Sequence, residues 1–503
     1  MEPRAVVATG ALQENRLRAR LQRRLRLGEA QRRWLAVLAV FFASFLLFAP
    51  SFDAWFAVLD FNHLDAIRST GAGTYFKRIF DPGDGGRTLF GTGELYRPTY
   101  YAVYWLEYQA FGLDALPYYV FNTTLHAINS VLVWLLAWRL TRSTLASTAA
   151  ALVWAYHPQY ADTVAWISSV TDLLLVFFTL SAVLLYAYAL EVKGRLRWLS
   201  YGGSLAAALL ALGAKESGIA VVPIIAGYHI VLGQPDLLRR RQVPWRLLPF
   251  LLIPAVYFPL RAVLVGNLAT EGNTTFPSSE FIANIHKLSG LAAGPLVGQS
   301  VSNSAYGAGQ GAAGVFVIAI TVVGTLLGGR RGWFLAGWYY VALLPYLLLI
   351  PLLLVGRYLY FPFVGVTILI GIGIARGVEL LKATDPVRQL VAAALVLGVL
   401  VWFGVLNGQY QNWLTAKGDD ARAFIDDLKA TYPTLPETGR LIVTEYPPTL
   451  SLTPDDGYML RPAIRLAYDR YVEVLTVSQL ESRSVPPPAE DDLWYPPGTQ
   501  SQP

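Results

Sequence analysis

Residues 131–197 read VLVWLLAWRLTRSTLASTAAALVWAYHPQYADTVAWISSVTDLLLVFFTLSAVLLYAYALEVKGRLR, and their pattern decides the fold. Three apolar runs follow one another in this stretch. Basic residues stand in the first gap, at Arg139 and Arg142, and again after the third run, at Lys193 to Arg197. The second gap, HPQYAD, lies between these two clusters and contains no Arg or Lys. Because cytoplasmic loops of membrane proteins are enriched in Arg and Lys, this alternation predicts helices that cross a bilayer, with HPQYAD on the outer face.

The same alternation extends over the whole chain. About eleven apolar stretches divide its 503 residues, and clusters of Arg and Lys occupy every second gap. The remaining clusters are Arg16 to Arg33, Arg239 to Arg241, Arg330/Arg331 and Lys382/Arg388. We therefore predict an all-α polytopic membrane protein of about 11 transmembrane helices, with a cytoplasmic N-terminus and an extracytoplasmic C-terminus.

The composition agrees with a membrane protein and excludes several kinds of site. Hydrophobic residues make up 54% of the chain and charged residues only 15%, whereas soluble proteins carry about a quarter charged residues. The net charge of +6 comes mostly from the N-terminal arginines, so we interpret it as a topology signal and expect no nucleic-acid partner. The chain has no cysteine, which excludes disulfides and thiolate metal sites, and its His, Asp and Glu spacings predict no metal site.

The chain divides into four predicted parts. A basic amphipathic cytoplasmic segment, 1–33, precedes a transmembrane domain, 34–406, with long outer loops at about 53–116 and 266–311. A small extracytoplasmic α/β domain follows at 407–483, with a helix at 419–431, strands at 440–445 and 472–477 and a helix at 462–471, and 484–503 is a Pro-rich tail expected to be disordered. The predicted spans are 34–52, 117–140, 144–156, 164–190, 198–212, 219–232, 247–265, 312–327, 333–354, 359–374 and 391–406. Helices are also predicted in the two outer loops, at 96–111 and 280–291.

Charged residues from distant segments reach the same outer boundary when the spans are threaded through a bilayer. Such residues are costly near a membrane and tend to mark a pathway or a site. Asp60 and Asp65 follow the first span, and either could act as a general base that accepts the proton of a hydroxyl group. We prefer Asp60 because it is nearer to the membrane, although a solvated loop carboxylate is the simpler interpretation of each.

Cations at the same boundary predict a phosphate site. Arg357 could contact a phosphate at two points, and Lys215 could add a second positive charge. Tyr358 and Tyr360 either hydrogen-bond Arg357 or belong to the aromatic belt of the membrane. The supporting residues are His63, Arg97, His157, Asp162 and Glu216. Each has a structural alternative, such as a paired hairpin at Lys215-Glu216 or a helix end at His157.

Four sequence pieces resemble the GT-C superfamily of membrane glycosyltransferases. They are ELYRPTYY (94–101), HPQYADTVAWISSVTDLL (157–174), AKESG (214–218) and GRYLYFPFVG (356–365). Their order is similar to the branch of transmembrane and tetratricopeptide-repeat-containing O-mannosyltransferases and their bacterial relatives, without the repeats. The resemblance implies an inverting transferase that uses a polyprenyl-phosphate sugar, a catalytic Asp in the first outer loop at Asp60 or Asp65, and Arg357 near the donor phosphate.

The implied reaction requires no cofactor and moves a sugar to a protein, glycan or lipid acceptor at the extracytoplasmic face. Two alternatives stay open. The chain departs from the family pattern, since Asp60 and Asp65 are not adjacent and Gly356 stands where a Glu is common. These departures allow a catalytically inactive membrane subunit. A lipid or solute transporter or flippase is the other alternative, although no repeat between the halves supports it.

Overall fold

The computed structural model describes residues 28–80, 96–233, 245–265, 278–297, 308–347, 355–380, 386–435, 440–450, 458–468, 473–481, 488 and 492–497. Most of the basic N-terminal segment and the Gly-rich turns of the first outer loop lie outside these residues. So do the N-terminal part of the second outer loop and the cluster at Arg239 to Arg241.

The described chain is predominantly helical. Its α-helices are α1 Glu29–Leu47, α2 Asp60–Thr70, α3 Ala72–Phe80, α4 Pro98–Phe111, α5 Ala115–Thr141, α6 Thr144–Tyr156, α7 Ala161–Ala165, α8 Val170–Glu191, α9 Gly194–Ala214, α10 Val221–Gly227, α11 Leu248–Val265, α12 Ser278–Ala293, α13 Ala308–Leu347, α14 Phe363–Leu380, α15 Pro386–Thr431, α16 Leu460–Tyr468 and α17 Val477–Glu481. Short 3-10 helices include Pro158–Tyr160, Ile167–Ser169, Glu216–Ala220 and Gly356–Leu359.

The predicted membrane spans correspond to these helices. Among the described residues, eight helices are long and apolar enough to cross a membrane. The other predicted spans are α6, which is short, α9, and one half of α13. The α13 helix contains two predicted spans. Gly329 lies between them and has the non-helical angles φ 54° and ψ −140°. This backbone conformation favours glycine and turns the chain between the two halves.

Helix α5 and the span that includes α8 lie at the centre of the bundle. In each, 61% of the most apolar window is buried, against 11% for α1 at the periphery. The largest fully buried side chains include Trp154, Tyr160, Trp338 and Tyr360. Apolar residues elsewhere on the helices are exposed, as expected for faces that contact lipid.

Helices α2 to α4 fill the described part of the first outer loop. The predicted segment 96–111 forms α4, with Pro98 at its first turn, where a missing N–H costs nothing. The predicted helix of the second outer loop, 280–291, lies within α12.

The last predicted span and the predicted helix 419–431 are one continuous helix, α15, of 46 residues. The predicted domain boundary at 406/407 therefore falls inside this helix. The hydropathy changes there while the residues continue to favour helix. Asn407 is buried, and its NH2 group donates to Tyr156 O at 2.8 Å and Phe403 O at 2.8 Å, so the amide nitrogen is satisfied within the bundle.

A parallel three-stranded sheet follows, in the order β2-β1-β3, with β1 Arg440–Val443, β2 Glu473–Thr476 and β3 Leu493–Tyr495. Arg440 is opposite Glu473, and Leu441 is opposite Leu493. β1 and β2 fall within the predicted strands. β3 lies inside the segment predicted to be disordered, and that prediction was wrong for these residues. The buried Asp492 accepts hydrogen bonds from the Arg440 backbone and guanidinium, which holds β3 beside β1.

Candidate active site

The Asp60 side chain is fully buried at the start of α2. One carboxylate oxygen accepts the backbone N–H of Ser168 at 2.9 Å and the Ser168 hydroxyl, and the other accepts the N–H of Ala57 at 3.0 Å. The first outer loop is thereby joined to the break between α7 and α8. Charge-assisted bonds of this kind hold a carboxylate in one orientation.

Burial raises the pKa of Asp60 to about 6, while hydrogen bonds from Ser168 and Ala57 and a smaller effect of the Trp166 side chain oppose the increase. The Trp166 Nε1–H is close enough to affect the carboxylate, although it makes no full hydrogen bond within the described residues. A carboxyl group with a pKa near the working pH can exist as a free base and still take up a proton. Asp60 therefore has the protonation behaviour of a general base.

Arg357 lies over the face of the Trp166 indole. Its guanidinium carbon is 5.4 Å from the Trp166 ring centroid and 5.7 Å from that of Tyr358. Burial opposes the positive charge, but Asp162, Tyr358 and Asp172 raise the pKa of Arg357 above its ordinary value. Trp166 thus neighbours both the candidate base and a permanently charged cation.

Asp162 is the principal counter-charge of Arg357. Burial raises the pKa of Asp162 to about 6, and Arg357 opposes this shift. The structure therefore brings together the predicted residues Asp162 and Arg357, which are far apart in sequence.

Lys215 forms a second cationic centre. Its Nζ donates to both carboxylate oxygens of Asp172, at 2.7 and 2.8 Å, and lies 5.0 Å from the Tyr358 ring centroid and 5.6 Å from that of Tyr346. Burial lowers the pKa of Lys215, Asp172 opposes this, and the nearby charges of Arg97 and Arg357 lower it further. The Tyr358 ring is thus close to both Lys215 and Arg357.

Arg97 completes a group of three cations. It forms an ion pair with Glu216 at 2.8 Å, and both side chains are largely buried. The predicted pairing within Lys215-Glu216 is not what the structure has, since each residue bonds a partner from another segment. We call Arg97, Lys215 and Arg357 the cation group. Glu216 pairs with Arg97 and Asp172 with Lys215, and aromatic rings lie close to Lys215 and Arg357.

Asp65 lies away from this group. It follows Asp60 by five residues on α2 and so points to a different face of the helix. Its carboxylate is 3.7 Å from Arg465 of α16, and the neighbouring Arg68 donates to Leu466 O at 2.7 Å. Burial raises the pKa of Asp65, and Arg465 opposes this. The structure thus gives Asp65 a partner in the C-terminal α/β unit, which it joins to α2, and its role as the alternative base stays a prediction.

Three other predicted residues serve packing. The Tyr360 hydroxyl hydrogen-bonds His126 at 3.0 Å and Asn129 at 3.3 Å, so its partners are inside the bundle and it is part of neither an aromatic belt nor the Arg357 contact. His157 shares a hydrogen bond with Ala292 O at 2.7 Å, and burial lowers its pKa to about 4.

His63 is also neutral. Its ring contacts Tyr100 and Tyr104, with centroids 5.4 and 5.2 Å apart, and burial with a smaller effect from Arg97 lowers its pKa to about 3. It contributes an aromatic surface between α2 and α4.

Sequence reasoning missed four residues that build the site: Trp166, Ser168, Asp172 and Tyr346. Asp172 carried a signal, because it is a carboxylate in the first turn of the very apolar helix α8. Trp166, Ser168 and Tyr346 carried none. Their roles depend on partners more than 100 residues away, as in the Tyr346 hydroxyl that donates to Ser217 at 3.0 Å.

Gly356 is required by close packing. A Cβ at this position would lie 2.1 Å from the carbonyl oxygen of Gln159. The 3-10 helices that contain Arg357 and Gln159 therefore touch at backbone distance. The departure from the family pattern at Gly356 has this steric reason.

Comparisons with known proteins fit this geometry. Residues 97–259, which include Arg97, Asp162 and Lys215, match the family of dolichyl-phosphate-mannose-protein mannosyltransferases. Protein O-mannosyl-transferase TMTC3 of Mus musculus is 30% identical over 139 residues, which are 28% of this chain and 15% of that protein. The Homo sapiens protein is 28% identical over the same length. The chain thus spans a small part of these relatives.

Solved structures match over most of the chain. ArnT from Cupriavidus metallidurans bound to undecaprenyl phosphate aligns with a TM-score of 0.54 at 12% identity, covering 88% of this chain and 85% of that one. Its apo state aligns with a TM-score of 0.52 at 14% identity, covering 90% and 89%. The chain has the GT-C fold. The predicted resemblance to GT-C membrane glycosyltransferases is confirmed. Among the described residues, no group of His, Asp and Glu could hold a metal ion.

Proposed function

We propose that this chain transfers a sugar from a polyprenyl-phosphate donor to a hydroxyl acceptor at the extracytoplasmic face. One observation carries the proposal: the Trp166 indole neighbours both the buried carboxyl group of Asp60 and the guanidinium group of Arg357. The family match and the TMTC3 relatives support mannose as the first sugar to test, and the ArnT complex supports a polyprenyl carrier. The alternation of Arg and Lys supports an outward-facing site.

The proposed reaction forms one bond and breaks one. The acceptor oxygen attacks the anomeric carbon of the sugar, and the bond from that carbon to the phosphate oxygen breaks. Asp60 takes the hydroxyl proton, and the polyprenyl phosphate leaves with the electron pair. Arg357 and Lys215 stabilise the negative charge that develops on this phosphate, while Trp166 and Tyr358 offer aromatic faces to the sugar.

Because these residues do not specify the acceptor, the assay measures where the radiolabelled sugar is transferred. Membranes that contain the full chain are incubated with radiolabelled mannosyl-phosphoryl-undecaprenol, and label is counted in protein, glycan and lipid fractions. We expect transfer by wild type, loss with Asp60→Asn, and retention with Asp53→Asn, a matched change at an exposed residue before α2. The proposal fails if wild type transfers no label from any polyprenyl-phosphate sugar, which would leave the inactive-subunit alternative.

A function as a glycosyltransferase is better supported than a function as a transporter. The family match and the fold neighbours are both of the transferase kind, and the charged residues lie in one cluster between loop segments. A transporter would move intact donor across a sealed vesicle without release of polyprenyl phosphate. Counting that phosphate in the same assay separates the two functions.

A further inference from the structure

A long groove between α6, α13, α14 and α15 is not used by the proposed reaction. Its cavity has a volume of about 1330 Å³ and is lined mostly by apolar side chains. Small-molecule sites usually occupy roughly 300–1,000 Å³. The volume and lining suit a long apolar molecule.

The groove runs along the bundle from one end to the other. His157, Ala292 and Phe403 line it at one end, and Ser143, Arg331 and Arg376 line it at the other. Helix α6 connects these ends, because Ser143 precedes it and His157 follows it. At 1.5 Å per residue its 13 residues cover about 20 Å, a large part of an apolar bilayer core.

The groove opens sideways. Several lining residues are strongly exposed, including Phe316 at 56%, Val323 at 50%, Leu327 at 81% and Leu395 at 68%. In a membrane protein such side chains face acyl chains and not water. A lipid can therefore enter from the bilayer.

The end near Arg331 and Arg376 is positively charged. Both side chains are exposed, and neither makes a hydrogen bond or ion pair within the described residues. Glu379 lines the same end, one turn after Arg376, and Arg330 is exposed beside Arg331. Three arginines against one carboxylate leave an excess of positive charge. The Arg330/Arg331 cluster is among those predicted to be cytoplasmic, where anionic lipids are bound by basic pockets between transmembrane helices.

We propose that this groove binds an anionic glycerophospholipid of the cytoplasmic leaflet. Its phosphate would lie at Arg331 and Arg376, and its acyl chains would follow α13 and α14 toward His157. Charge complementarity selects this occupant, because a donor held by Arg357 would place its phosphate at the opposite end. The proposal is independent of catalysis.

The test counts lipid bound to the purified full chain by native mass spectrometry. Mixed micelles contain either dioleoylphosphatidylglycerol or dioleoylphosphatidylcholine. We expect phosphatidylglycerol to be retained preferentially by wild type. Each arginine near an anionic head group contributes about fivefold in affinity, so Arg331→Gln with Arg376→Gln should weaken binding about 25-fold. Lys193→Gln with Arg195→Gln removes two exposed charges of the same predicted face outside the groove and should change little.

A steric variant tests the location. Ala319 lines the groove and is exposed, so Ala319→Trp should exclude the lipid, whereas Ala206→Trp, on an exposed part of α9, should not. Equal retention of both lipids, or equal losses in the two charge variants, would overturn the proposal. So would displacement of phosphatidylglycerol by undecaprenyl phosphate at equal concentration, because that result would assign the groove to the donor chain.

Discussion

Replacing Asp60 with Asn should abolish transfer while leaving the fold at least as stable at neutral pH. The isosteric amide cannot take a proton, and the loss of a general base typically costs about 10²–10⁴-fold in rate. In wild type, the pKa of about 6 also predicts a falling rate at acid pH, with about one tenth of the sites ionised at pH 5.

The stability change follows from the same carboxyl group. Burial raises the pKa of Asp60 from 3.8 to about 6, so the unfolded chain releases this proton at a lower pH than the folded chain. As the pH rises from about 4 to 6, wild type therefore loses stability, by about 3 kcal/mol when the change is complete. The Asn variant has no such titration.

The amide has a cost of its own. Its oxygen can keep both hydrogen bonds from Ser168, but its NH2 group faces the Ala57 N–H, which had donated to the carboxylate at 3.0 Å. An unsatisfied buried donor costs about 1–3 kcal/mol. The variant should therefore be less stable than wild type at pH 4 and about as stable, or more so, at pH 7.5.

The assay is thermal unfolding of the purified full chain in detergent at pH 4, 5, 6 and 7.5, with transfer measured in parallel. Asp53→Asn controls for the loss of one carboxylate. If the difference in unfolding stability between wild type and Asp60→Asn stays constant across this pH range, the argument that Asp60 is a buried carboxyl group with a raised pKa is refuted. Transfer above about a tenth of the wild-type rate would refute the role of Asp60 as base.

Three further outcomes are expected. Arg357→Lys keeps the charge but loses the planar two-point contact, so it should raise the KM for the donor about tenfold or more with expression unchanged; an unchanged KM would remove Arg357 from the phosphate site. Asp65→Asn should lower the free energy of unfolding by about 1 kcal/mol, because it weakens the pair between Asp65 and Arg465 of α16. It should leave the transfer rate within about twofold of wild type. A loss of transfer like that of Asp60→Asn would contradict this assignment. In a chain without native cysteine, an impermeant maleimide added to sealed right-side-out vesicles should label Lys429→Cys and not Lys193→Cys; the opposite result would invert the topology.

Much of the helical architecture could be read from the chain. Apolar stretches of membrane length and the Arg and Lys clusters between them are local properties, and they predicted the order of the helices. Local patterns also predicted the outer helix at 96–111 and two of the three strands of the α/β unit. Local patterns failed where packing decides. Asn407 follows the last predicted span, yet the helix continues past it, and its NH2 group donates to two carbonyls inside the bundle.

The sequence by itself determined a polytopic membrane protein and supplied the residue types of the predicted phosphate-binding site, because charge and hydropathy act over a few neighbouring residues. Only the tertiary structure separated Asp60 from Asp65 and Tyr358 from Tyr360. Residues so close in sequence have the same local signal, but they point to different faces and meet different partners: Ser168 or Arg465 for the carboxylates, and Lys215 or His126 for the tyrosines. These partners are 100 or more residues away, and chain folding alone brings them within hydrogen-bonding or ring-contact distance.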